Sequence, residues 1–440
     1  MPKPDRPEKN LRSLNLLSKD ILFWTPLAAL PIITNLSVDY FTDATVTPKW
    51  AAFLLAWLPT GIALATWIAY EVCGTPDESA SIRLKIPKLA LTLAISFLAV
   101  LCVGISNSIN WVEGMNRFNF WLGAFGFWLA ATVSTLQSPS AFTLWLTRSL
   151  TLTSAILAGW FWKIFLIDFK NPGYDRLANF SSVGHFNFTA DVLVFLIPML
   201  TWILITREGR GLRITALLSL ATHLFMLLTS GSLGATGGLA LGGLPPLAIY
   251  LHRKRDRRLS SDSSQRSPWL APLLAMIFGI GLVGIWGKIP DNYKAGMFHR
   301  AAWENAPNTS ALQKEARDLP PFSGFWLRAA PLLGARTPMW AAATGMSLDH
   351  PWLGFGTGSF MYEYPAYEKH YGLFFDEETH GHYIRTNPHN LFLQISTENG
   401  IPAAILFHLA CLLLIGSLTR KALSKPQSLW LCGLWLAIAC

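Results

Sequence analysis

The chain has 440 residues, 52% hydrophobic and 14% charged, with a formal net charge of +9 and a mean hydropathy of +0.35. Soluble domains carry about 25% charged residues, so a large aqueous globule is excluded and long lipid-facing segments are implied. The excess positive charge sits in loops between apolar runs, which makes it a matter of topology and excludes a nucleic-acid-binding reading.

A basic tail covers residues 1–20. Apolar windows follow at 21–36, 50–70, 89–106, 119–136, 149–167, 189–206, 214–230, 233–251 and 269–286, and form a membrane domain over 21–286. Most are long enough, at about 1.5 Å per helical residue, to cross a hydrocarbon layer of about 30 Å. A polar stretch of 114 residues occupies 287–400, and apolar runs return at 401–418 and 428–440. The last of these is short of a full span and reads as a partial helix. No small-residue cleavage site follows the first run, which reads as a retained helix. The prediction is an all-α integral membrane protein of about 11–12 transmembrane helices, with one large, partly helical loop between the ninth and tenth.

With the N-terminus inside, the cytoplasmic segments hold 21 Lys or Arg, including the run from Arg253 to Arg258. The short outer loops hold four: Lys49, Arg117, Lys170 and Arg176. That asymmetry orients the chain and places 287–400 outside. The five cysteines, at 73, 102, 411, 432 and 440, avoid that loop, so no disulfide framework is implied there.

Within 287–400, nine basic residues face eleven acidic ones, among many aromatics including Trp303, Trp326, Trp340 and Trp352. This is too aromatic for a disordered linker. Runs 309–317 and 336–347 read as helices, and the second has apolar residues at helical spacing. Gly354, Gly356 and Gly358 mark a turn or a close backbone approach.

Three outer constellations carry candidate chemistry. Asn387-Pro388-His389-Asn390 stands just before the tenth helix. A free imidazole titrates near pH 6.5, so His389 suits a general base, with Asn390 to orient it or a substrate. The plain alternative is a polar cap at a helix start. Arg336, with Trp340 four residues on, precedes His350-Pro351-Trp352-Leu353-Gly354-Phe355-Gly356. A guanidinium presents planar donors suited to a pyrophosphate, while pairing with Asp349 or Glu363 is the structural alternative. Arg176 and Gly184-His185-Phe186-Asn187 lie before the sixth helix, where a lone Arg or His is ordinarily just solvated. His380 and His382, beside Asp376, Glu377 and Glu378, match no specific ligand spacing. No metal and no other cofactor is expected. His223 and His408, inside apolar runs, read as packing or interhelical hydrogen bonding.

In order and spacing, Arg336-x3-Trp340, then HPWLGFGTGSF, then His389-Asn390-x9-Gly400 resembles the O-antigen ligase and polymerase superfamily of bacterial membrane glycosyltransferases. Arg176 and the GHFN stretch resemble that family's earlier outer-loop pattern. Two positions depart from it. A Ser-Arg-Gly turn reads Ser232-Leu233-Gly234 here, and a Gly-x-x-Gly reads Gly400-x-x-Ala403.

The resemblance implies a GT-C-like fold in the bacterial inner membrane, with a periplasmic active site. It implies an undecaprenyl-pyrophosphate-linked glycan as donor and a hydroxyl acceptor, the lipid A-core sugar for a ligase, with inversion and without a metal. It singles out His389 as the base, Arg336 and Arg176 as pyrophosphate ligands, and Asn390, His185, Asn187 and Trp340 as support. Membrane lipid is a partner and nucleic acid is not. A polymerase or a protein O-oligosaccharyltransferase fits the same motifs. From another class, a polysaccharide transporter or flippase would place its charged residues near the midplane, and the apolar runs here are poor in them.

Overall fold

The computed structural model describes residues 6–36, 46–73, 88–166, 181–183, 186–206, 209–230, 336–370 and 387–424, with isolated positions 235, 238–239, 279 and 325. Their regular elements are helices: α1 (Arg6–Asn35), α2 (Val46–Cys73), α3 (Lys88–Ser106), α4 (Trp111–Gln137), α5 (Pro139–Leu166), α6 (Phe186–Thr206) and α7 (Arg210–Ser230). After these come α8 (Arg336–Asp349), α9 (Phe360–His370) and α10 (Leu391–Ser424). Five spans among the described residues are long and apolar enough to cross a membrane: Ser13–Asn35, Lys49–Ala69, Pro139–Leu166, Arg210–Ser230 and Leu391–Leu413. Most of the apolar runs at 233–251 and 269–286, all of that at 428–440, and the helix expected at 309–317 lie outside the described residues.

The chain forms two compact units. The first comprises residues 1–85, 125–298 and 415–440. Its core joins α5, α6 and α7 through rows at helical spacing: Leu150, Leu157, Phe161 and Ile164; Leu193, Leu196, Leu200 and Ile203; Ala216 and Leu220. Small polar side chains tie the helices where lipid offers no hydrophobic drive. Ser134 donates to the Leu22 carbonyl at 3.0 Å and Ser149 to that of Leu27 at 2.5 Å. Gly126 gives the Trp57 ring its seat, and any β-carbon there would strike the indole.

The second unit comprises 86–124 and 299–414. In α8, Met339, Ala342, Ala343 and Met346 repeat at i, i+3, i+4 and i+7, and bury one face against Phe360 and Tyr364 of α9 and Leu393 of α10. In α3, Phe97 and Leu101 pack on Ile395, Ala403 and Ala404 of α10. Thus α10 starts ten residues before the apolar run at 401, and Gly400 breaks it (φ 85°, ψ 161°).

That break would orphan backbone groups, and residues 350–358 answer for each one. In an unbroken helix, the Thr397 and Glu398 carbonyls would accept from residues 401 and 402. Pro402 has no N–H, and the Ile401 amide donates instead to the Pro351 carbonyl at 2.8 Å. The amides of Phe355 and Gly356 take the vacated places, donating to Thr397 and Glu398 at 2.9 and 2.8 Å. Thr357 then donates from its amide to the Gly104 carbonyl at 3.1 Å, locking the hook to the end of α3.

Candidate functional site

The hook and α8 together fix the entrance to α10. Trp340 donates its indole N–H to the Pro388 carbonyl at 2.8 Å, and Ser347 bonds Ser396 at 2.8 Å. Residue numbers rise together in the two segments, so α8 runs parallel to the start of α10. Their N-termini lie at the same end. Arg336 opens α8 one turn before Trp340, so the sequence motifs Arg336-x3-Trp340 and Asn387-Pro388-His389-Asn390 are joined there through the backbone.

His389 is exposed and sits in the left-handed region at φ 50°, the one non-glycine residue there among those described. Such a conformation costs an L-residue about 1 kcal/mol or more. Its two neighbours hold it. The Asn387 Oδ1 accepts the His389 amide at 3.0 Å, and the Asn390 Oδ1 accepts that of Leu393 at 3.1 Å. Asn390 is therefore the N-cap of α10, with its oxygen on the third helical amide. The capping function expected as the plain alternative for this motif falls to Asn390, and His389 projects between two locked neighbours.

Arg176 and His185 lie outside the described residues, and Asn187 belongs to the first turn of α6. The approach to that helix is nonetheless built. Ser181 bonds Thr189 at 2.7 Å, Ser182 donates to the Asn35 Oδ1 at 2.9 Å, and Lys49 donates to the Ser182 carbonyl at 2.5 Å. His380 and His382 also lie outside the described residues, within which no group of three or more His, Cys, Asp or Glu could hold a metal ion. His408 bonds the Ala404 carbonyl within its own helix at 2.8 Å, and His223 is buried in α7.

Sequence reasoning missed the polar joint beneath the hook. Thr357 Oγ1 lies between the Leu101 carbonyl (2.9 Å) and the Asn399 Oδ1 (2.6 Å). The buried Glu398 accepts from the Gly358 amide at 3.1 Å and from Gln394 at 3.4 Å. The available signal was Thr397-Glu398-Asn399, three polar residues in succession where an apolar helix begins. The partners of Glu398 and Asn399 in the hook lie 40 and 42 residues away in sequence, and Thr357 in turn reaches Leu101, 256 residues away, which no local pattern encodes.

These helices and spans define a multi-pass, all-α membrane protein. Residues 214–408, a little under half of the chain, match the family model described as O-antigen ligase. The matched region contains Arg336, Trp340, His389 and Asn390, and begins after Arg176, His185 and Asn187. That match supports a glycosyltransferase-like enzyme of lipopolysaccharide biosynthesis with a lipid-linked glycan substrate. No curated protein and no solved structure matches the chain.

Proposed function

We propose that the protein is an O-antigen ligase-like glycosyltransferase of the bacterial inner membrane, acting at its periplasmic face. It moves a glycan from undecaprenyl pyrophosphate to an acceptor hydroxyl, the lipid A-core sugar, with inversion. His389 takes the proton of the acceptor hydroxyl as the oxygen attacks the anomeric carbon, and the bond to the pyrophosphate oxygen breaks on the opposite face. Arg336 and Arg176 neutralise the leaving pyrophosphate, as fixed positive charge can do without a metal. Asn387 and Asn390 fix the backbone that carries the imidazole, Trp340 ties α8 to the adjoining Pro388 carbonyl, and His185 and Asn187 support Arg176 on the donor side.

The observation that carries this reading is His389 itself: exposed, in a costly backbone conformation, and held there by a hydrogen bond on either side. Strain of this kind persists only where surrounding structure enforces it, and it gathers at functional positions. Two parallel helix N-termini at the same end add partial positive charge, which favours an anionic leaving group.

The test is His389→Asn. Asparagine accepts the left-handed conformation readily but cannot serve as a base near neutral pH. Transfer should fall by about 10²–10⁴, with expression and thermal unfolding unchanged. Transfer near the wild-type rate would make His389 structural. A polymerase or a protein O-oligosaccharyltransferase would use the same residues, and offering lipid A-core, repeat-unit and pilin acceptors to the purified protein separates the three.

A further inference from the structure

The far end of α8 has the opposite chemistry to its start. A cleft of about 520 Å³ opens there, between the α3–α4 turn and the hook, which is within the usual range for small-ligand sites. Asn107, Asp349, His350, Trp352, Phe355 and Glu363 are among its lining residues. Trp352 is 77% exposed, which leaves its indole face open at the cleft. Asp349 is oriented by the Tyr367 hydroxyl, which donates to its Oδ2 at 2.6 Å, and the His350 ring lies on that of Phe355 with centroids 4.1 Å apart.

We propose that this cleft is a saccharide-binding subsite, and the proposal rests on the glycosyltransferase reading above. A pyranose presents an apolar C–H face and a rim of hydroxyls. The first lies flat on an indole, and the second donate to carboxylates and exchange hydrogen bonds with an amide. Two carboxylates, Asp349 at the negative C-terminal end of α8 and Glu363 in the first turn of α9, repel phosphate, so the ligand is a neutral or amino-sugar oligosaccharide, not the pyrophosphate or an anionic headgroup. Fourteen helical residues separate the two ends of α8, about 20 Å. The subsite therefore grips sugars several units from the reacting bond, either on the donor chain or on the acceptor core.

Saturation-transfer NMR on the full chain in phosphatidylcholine nanodiscs tests this with two lipid-free probes. One is the oligosaccharide freed by mild acid from the host's polyprenyl-linked glycan, and the other is the core oligosaccharide of its lipopolysaccharide. One of them should bind, and which one assigns the cleft to donor or acceptor. Trp352→Ala, Asp349→Asn and Glu363→Gln should each weaken binding about tenfold, the loss of one stacked face or one charge-assisted hydrogen bond. Trp352→Phe should retain most of the affinity. If Trp352→Ala fails to accumulate, the two carboxylate variants carry the same test without disturbing the hook. Wild-type protein that transfers glycan in a His389-dependent way yet binds neither probe would sink the subsite and leave the enzyme reading standing. Binding by a chain that transfers nothing would do the reverse. Unaltered affinity in Trp352→Ala and both carboxylate variants would also overturn the proposal.

Discussion

At His389 the backbone and the side chain make separable demands. The φ of 50° suits Asn or Gly, strains Ala, and leaves the imidazole exposed. His389→Ala should therefore lose about 1 kcal/mol more stability than His389→Asn, while both lose transfer. Equal unfolding temperatures for the two would mean that the left-handed conformation is not enforced. The arginines make a different demand, for charge in a planar fork. Arg336→Ala and Arg176→Ala should each impair use of the lipid-linked donor more than folding, read as a rise in donor KM together with a fall in kcat. Lysine should restore only part of it, because an ammonium group lacks the bidentate geometry. Full activity in both alanine variants would remove the pyrophosphate clamp. Transfer should also continue in EDTA. Loss that one defined metal reverses would instead bring His380 and His382 forward as ligands.

The elements show what sequence can and cannot specify. Helical periodicity at 336–347 predicted α8, and its four core residues occupy the expected face. The glycines of the hook were readable as a close approach, but not what they approach. Gly356 (φ 104°) rests on the Asn107–Ser108 backbone and Gly400 (φ 85°) on the Trp352 carbonyl. The start of α10 was misplaced by ten residues because Ser396, Thr397, Glu398 and Asn399 look like loop. They are helical because the buried joint satisfies them. Gly400→Ala should cost about 3 kcal/mol or more, combining a disfavoured φ with a backbone collision. Gly159→Ala, with nothing within 4 Å of the added carbon, should be close to neutral. A thermal-unfolding series on the purified variants checks the contrast, and a mild Gly400→Ala would show that the bend is not locked by the hook.

For the whole molecule, orientation decides whether the site faces the periplasm, and it rests on charge alone: 21 basic residues on one side against four in the short loops of the other. The second unit adds an internal constraint. Because the Thr357 amide bonds the Gly104 carbonyl and Asn110 donates to the Tyr362 hydroxyl at 2.8 Å, the α3–α4 turn and the hook share one face of the membrane. The charge asymmetry leads us to expect that turn outside, and the hook, α8 and His389 with it. Helix α4 is 27 residues and about 40 Å long, and its apolar run at 119–136 is expected to cross the membrane before the exposed Ser138. In a cysteine-free background, Ala366→Cys on α9 should react with an impermeant maleimide on intact spheroplasts, and Ser138→Cys only after permeabilisation. The two exposed sites make the experiment internally controlled, since a leaky membrane would label both. The reversed pattern would turn the chain over, put His389 in the cytoplasm, and remove any access to a periplasmic acceptor.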